Sequence, residues 1–262
     1  MDWLMNHVGG LPDLSLLFGG AVLVGTVAVG IAWLCRLLLF ANVGAGMESQ
    51  SKLAELVHGS LLAFTVFTLA LVLADVRANL GKTLDATLRE ASIISRLDDE
   101  LEVAGGAAAA AARADLRAYA ATVTDHDWPA LSKHMPSLSR EGDDAVKSLR
   151  ASTRAVAQAS PGSASAINGF LSQIEDFRLG RLESATKSVP NVFWWIIFAF
   201  LVGSMAMNGR HPPGRTSGTL IFLHMAGIGL VLALILIMDQ PFRGETSVSP
   251  DPIAHLLRSH GL

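Results

Sequence analysis

Cysteine is almost missing from this chain: Cys35 stands alone inside an apolar run, so an intramolecular disulfide and a cysteine-based metal site are both excluded. Charge is scarce as well. Only 16% of residues are Asp, Glu, Lys or Arg, against about a quarter in an ordinary soluble chain. No Lys/Arg-rich run occurs and the formal net charge is −3, which removes nucleic acid from the expected partners. The sequence holds no HExxH, CxxC, GxSxG or Walker pattern, and no dinucleotide fingerprint. Neither a catalytic centre, a metal nor a cofactor is therefore expected. Asp125, His126 and Asp127 form the densest ligand-like triplet, but adjacent residues on a helix diverge, and a polar helix end before Pro129 accounts for them.

What fills the space left by charge is hydrophobic. The nine apolar residue types supply 51% of the chain, and they collect in windows that approach the roughly 20 residues needed to cross a bilayer. The windows run from Leu14 to Leu34, Val57 to Ala74, Val192 to Met207 and Leu220 to Met238. No Lys or Arg precedes the first of them, so it reads as a retained span and not as a cleaved leader. Gly19, Gly20, Gly25 and Gly30 stud that span and predict a closely packed face. Pro190 suits the first turn of the third span, and Gly209, Pro212, Pro213 and Gly214 predict a tight connection that makes spans three and four a hairpin.

An even number of crossings places both termini and the segment between spans two and three on one side. Arg77, Lys82, Arg89, Arg178, Arg181, Lys187 and Arg243 flank the spans there, against Arg36, Lys52, Arg210 and Arg215 opposite, so that side is expected to be cytoplasmic. The intervening segment changes character, with alternating charges and apolar residues at helical spacing: Leu80, Leu84, Leu88, Ala91, Ile94, Leu97 and Leu101. No proline interrupts it before Pro129, so span two should continue as one helix beyond the membrane. The alanines 107–112 favour helix, Trp128-Pro129 ends that run, and further helices are expected over Glu141 to Ala159 and from Ile167 to Leu182. The expected division is residues 1–75 for spans one and two, 76–188 for a cytoplasmic helical bundle, 189–238 for spans three and four, and 239–262 for a cytoplasmic tail. The fold class is all-α.

Span two carries the most suggestive pattern. His58, Leu61, Thr65, Thr68, Val72 and Asp75 follow at steps of three and four and so share one stripe. A packed seam and a water-filled path both satisfy its hydroxyls, since threonine can also bond back to its own helix. Repeated around an oligomer, Asp75 would gather cations at a pore mouth.

The string Asp239-Gln-Pro-Phe-Arg-Gly-Glu-Thr-Ser-Val-Ser-Pro after span four resembles the signature of the bacterial bestrophin-like membrane protein family. Asp127-Trp128-Pro129, the approach from Arg181 to Trp195 and the long helix leaving span two are similar to it as well. The resemblance implies a homopentameric ion channel of the bacterial inner membrane, in contact with lipid, passing monovalent ions along a pore lined by span two. On that reading His58, Leu61, Thr65, Thr68, Val72 and Asp75 line the path, with a weak preference for cations. Bestrophin necks are stacked rings of large apolar side chains, and a small helix rotation would put Phe64 and Phe67 toward the axis instead. Asp239, Pro241, Phe242, Arg243, Gly244 and Glu245 match the family's element after span four, although the acidic run of a calcium clasp is lacking. A non-conducting scaffold or sensor acting through the helical segment is the alternative.

Overall fold

The computed structural model describes residues 12–40, 48–211 and 214–259, and every regular element among them is helical. The expected Pro212-Pro213 connection and the segment ahead of Leu14, apart from Pro12 and Asp13, lie outside the described residues. Four helices are long and apolar enough to cross a membrane, and the chain is a multi-pass membrane protein.

α1 spans Asp13–Leu38 and α2 spans Glu48–Ala104. At 57 residues, α2 runs roughly 85 Å at 1.5 Å per residue, far beyond the ~30 Å of hydrocarbon. Its first turns precede Val57, where the apolar window opens, because hydropathy marks the lipid-facing part of a helix and not its ends. Gly105 and Gly106 then break the helix with φ of 65° and 81°. Side-chain-bearing residues resist that left-handed geometry, and this break is absent from the expectation of an unbroken run to Pro129. α3 follows over Gly106–Thr122, a single π turn over Val123–Asp127, and the short α4 over Trp128–Leu131. Helix thus extends past Pro129, which sits in the first turn of α4, where no amide is needed. α5 covers Arg140–Ala159 and α6 covers Ala164–Thr186. α7 spans Asn191–Met207 and leads into a 3₁₀ turn at Asn208–Arg210; α8 spans Arg215–Met238 and α9 Asp251–Ser259.

The chain forms two compact units. One combines the described residues up to 78 with 188–239 and holds the spans. Its core gathers Ala28, Leu69, Val72, Val76, Ile197, Leu201, Met205, Met225, Ile228 and Ile235. The tightest packing here joins α1 to α8, with α1 also against α7, while α7 and α8 lie farther from each other. The expected hairpin is therefore wedged by span one. Glycine explains how: a Cβ on Gly229 would stand 2.6 Å from the Gly20 carbonyl, and one on Gly25 would strike the Phe222 ring at 2.8 Å. α7 instead presents Phe193 and Trp194, which pack against the same core, and Phe200, which stacks on Phe64 of α2.

The other unit combines 79–187 with the described residues from 240 onward. Ile94, Leu97, Leu101, Leu116, Tyr119, Leu149, Ile167, Ile174 and Ile253 are fully enclosed in its core. The apolar face expected along α2 is rotated from its first members: Leu84 and Leu88 are exposed. The buried seam runs instead through Thr83, Thr87, Glu90, Ile94, Leu97 and Leu101, again at steps of four and three.

Candidate functional site

The helical unit is organised around charges that have left water. Glu90 on α2 is fully buried, as are Tyr119 on α3 and Asp127 at the end of the π turn, and Arg178 and Arg181 on α6 are nearly so. The extra residue of the π turn aims Asp127 inward, the kind of reorientation that π turns supply. Arg181 bridges the two acids, its Nη1 donating to Glu90 and its Nη2 reaching Asp127 at 3.4 Å. The Tyr119 hydroxyl donates to the other Glu90 oxygen at 2.9 Å. Arg178 Nε donates to Asp127 at 2.9 Å, its Nη1 to Asp143 at 2.6 Å and its Nη2 to the Ser139 carbonyl at 3.0 Å. Ser139 completes the ring, giving Asp127 both its amide and its hydroxyl at 2.9 and 2.5 Å while its oxygen caps α5 by accepting from Gly142 N–H at 2.9 Å. Gly142 is obligatory here, since a Cβ would lie 2.6 Å from Arg178 Nη2 and from Asp127 Oδ1.

These contacts set the protonation states. Burial opposes the Asp127 charge, but hydrogen bonds from Arg178 and Ser139 outweigh it and hold its pKa below the usual carboxylate range. Burial likewise opposes the Arg181 cation, and Glu90 beside it reverses the balance and raises its pKa. Asp127 therefore contributes stability above the unfolded carboxylate pKa, and that contribution is lost as pH falls through its depressed value.

The segment after span four closes onto the same core. Trp128 lies under the Arg181 guanidinium, 5.7 Å from cation to ring centre, and meets the Phe242 ring edge-on at 5.3 Å. Its indole N–H donates to the Val248 carbonyl at 2.9 Å, and Val248 N–H donates to the Pro241 carbonyl at 2.7 Å. Gly244 turns the loop between them at φ 89°. Pro241 and Phe242 are thus buried anchors, while Gly244 and Glu245 are exposed at the tip with Arg243 half-buried.

Asp239, the first residue beyond span four, accepts the Val189 N–H at 3.0 Å. Burial pushes its carboxyl up to about 6 and Asp75 pushes it the same way, against the lowering effect of the Val189 bond. A raised carboxylate reverses the usual sign: the folded chain keeps this proton longer than the unfolded chain, so stability is fullest below about pH 4 and falls as pH rises through about 6. Asp239→Asn keeps an acceptor for Val189 and removes the buried charge. It is expected to raise the melting temperature at neutral pH and to do so much less near pH 5, as thermal unfolding at the two pH values would show.

On α2 the structure separates the two faces named from the sequence. Thr65 is 0% and Thr68 9% exposed, and Val72 is buried with them. Both threonine hydroxyls donate back to their own helix, to Leu61 and Phe64 carbonyls at 2.8 Å. Leu61 packs over Gly203 of α7. His58 is half-buried and Asp75 exposed. Phe64 and Phe67 stand 55% and 62% exposed, with Phe64 stacked on Phe200 at 5.5 Å between centroids. Asp125 and His126 point outward while Asp127 is buried, and among the described residues no three His, Cys, Asp or Glu side chains converge as a metal site.

Sequence reasoning overlooked Glu90, Tyr119, Arg178 and Arg181 as one unit and assigned both arginines to the membrane flank. Their burial in ion pairs removes them from any role at lipid headgroups. The signal was present: Ile167, Leu171, Ile174, Arg178 and Arg181 follow at steps of four and three, so the cations continue a buried apolar seam just as Glu90 does on α2.

The Bestrophin-like domain profile matches residues 20–253. No curated protein and no solved structure matches the chain.

Proposed function

The chain belongs to the bestrophin-like family, a family of ion-channel type, and from that premise we propose that it forms a homopentameric channel of the bacterial inner membrane. α2 from each subunit surrounds one central pore for monovalent ions. The observation that carries this reading is the division of α2 into a consumed face and an open one. Thr65, Thr68, Leu69, Val72 and Val76 are spent on packing within the subunit, whereas Ser60, Phe64, Phe67, Leu71, Ala74 and Ala78 form an exposed line at steps of four and three. Such a line runs straight along a helix and, repeated about a symmetry axis, stacks into rings. Phe64, Phe67 and Leu71 then make an apolar constriction, and Asp75, exposed near the end of that line, places a ring of carboxylates at one mouth. The helical unit and both termini lie in the cytoplasm on this reading, and residues 76–188 with the tail from 239 form the vestibule. No bond is broken; ions pass.

Currents through purified protein in a planar bilayer under a KCl gradient test the proposal. Reversal near the potassium potential is the expected result. Reversal near the chloride potential keeps the channel and overturns the cation preference drawn from Asp75. An oligomer silent at all voltages and pH values overturns conduction in favour of a scaffold or sensor.

A further inference from the structure

At the end of the spans where α2 and α8 begin, three imidazoles line one cleft. His58 and Leu62 come from α2, Asn208 and His211 from the 3₁₀ turn and its exit, and Ser217, Leu220, Ile221 and His224 from α8, around a cavity of about 280 Å³. His58 Nδ1 is buried and makes no hydrogen bond. The charged groups that bear on His58 are Arg210, His224 and His211, all basic. On α1, Arg36 donates to the Arg210 carbonyl at 3.4 Å, adding a further cation, and Arg215 stands at the start of α8. Lys52 and Glu55, both exposed, precede His58 on α2.

The cluster does not have a metal's geometry: among the described residues no three such side chains converge closely enough to ligate an ion. A cavity of this size with imidazoles spaced around it suits a larger anion that several donors reach from different sides. Two features select among anions. His58 is the second residue and Leu220 the first of their apolar windows, the depth at which headgroups meet hydrocarbon. Leu62, Leu220 and Ile221 make up three of its eight lining residues, and Leu220 is exposed. A free inorganic anion has no use for that surface, but an acyl-bearing one does.

We infer that this cleft binds the phosphate of an anionic phospholipid headgroup, with the imidazole N–H groups of His211 and His224 supplying donors beside His58. The site holds whether or not the chain conducts, because its readout is binding and not current.

The test uses the full chain in neutral detergent, melted after adding phosphatidylglycerol or phosphatidylcholine. Phosphatidylglycerol is expected to raise the melting temperature by several degrees more than phosphatidylcholine. His211→Gln with His224→Gln, both at exposed positions that leave the core intact, is expected to remove at least half of that difference. Equal stabilisation by the two lipids, or a difference unmoved by the double substitution, overturns the site. Millimolar inorganic phosphate reproducing the shift overturns the lipid as occupant and leaves a free-anion site.

Discussion

Replacing Arg181 by methionine is expected to destabilise the helical unit by about 3–5 kcal/mol, the usual result of removing one partner from a buried ion pair. Methionine matches the length of the arginine stem and fills the space over Trp128, so packing loss is minor. What remains is Glu90, fully buried with only the Tyr119 hydroxyl, and Asp127, which loses one of two guanidinium neighbours. Unfolding followed by circular dichroism in detergent should show the helical transition falling by on the order of 10 °C. The double substitution Glu90→Gln with Arg181→Met should recover much of that loss, since no uncompensated charge is left inside. A double variant no better than the single one would mean that Arg181 serves chiefly through Asp127 and the tail clasp at Trp128. Recovery in the double variant would mean that the network sets the register of α2, α3, α5 and α6 more than it adds net stability, because two ions withdrawn from water recover little beyond their desolvation.

Helical class, the number of spans and the continuation of span two were legible because each follows from periodicity and from the thickness of lipid. The Gly105-Gly106 break was not. Alanine on both sides favours helix, and only the paired glycines, which tolerate φ of 65° and 81°, carried a warning. The wedge of α1 against α8 was half-legible: the glycines of span one announced a close approach, but nothing local names the partner, which depends on Gly229 far along the chain. The charged core was written into the sequence as acids and bases on otherwise apolar seams. Reading it required treating Glu90 and Arg181 as implying each other across distant helices, whereas the positive-inside rule counts every cation near a span as solvent-facing. On α2 the same limit appears. Periodicity draws both the threonine stripe and the phenylalanine line, and only packing tells which one the subunit keeps for itself.

That distinction yields the largest expected effect on current. Phe67 and Thr68 are neighbours in sequence, about 100° apart around the helix, so at most one of them faces a given axis. With the open face inward, Phe67→Ala removes a ring of aromatic side chains from the constriction and is expected to raise unitary conductance several-fold, with Phe64→Ala acting in the same direction. Thr68→Val keeps the volume of a buried side chain whose hydroxyl serves only the Phe64 carbonyl, and should leave conductance and reversal potential unchanged. Thr65→Phe, at a position with no exposed surface, adds bulk to a filled core. It should lower stability by about 1–3 kcal/mol through overpacking and not by occluding a path. Single-channel recording of the four variants separates the faces. A shifted reversal potential in Thr68→Val together with unchanged conductance in Phe67→Ala would place the threonine stripe on the axis, requiring α2 to turn by about a quarter of a revolution and to surrender the packing that buries Val72 and Leu69 in the isolated subunit.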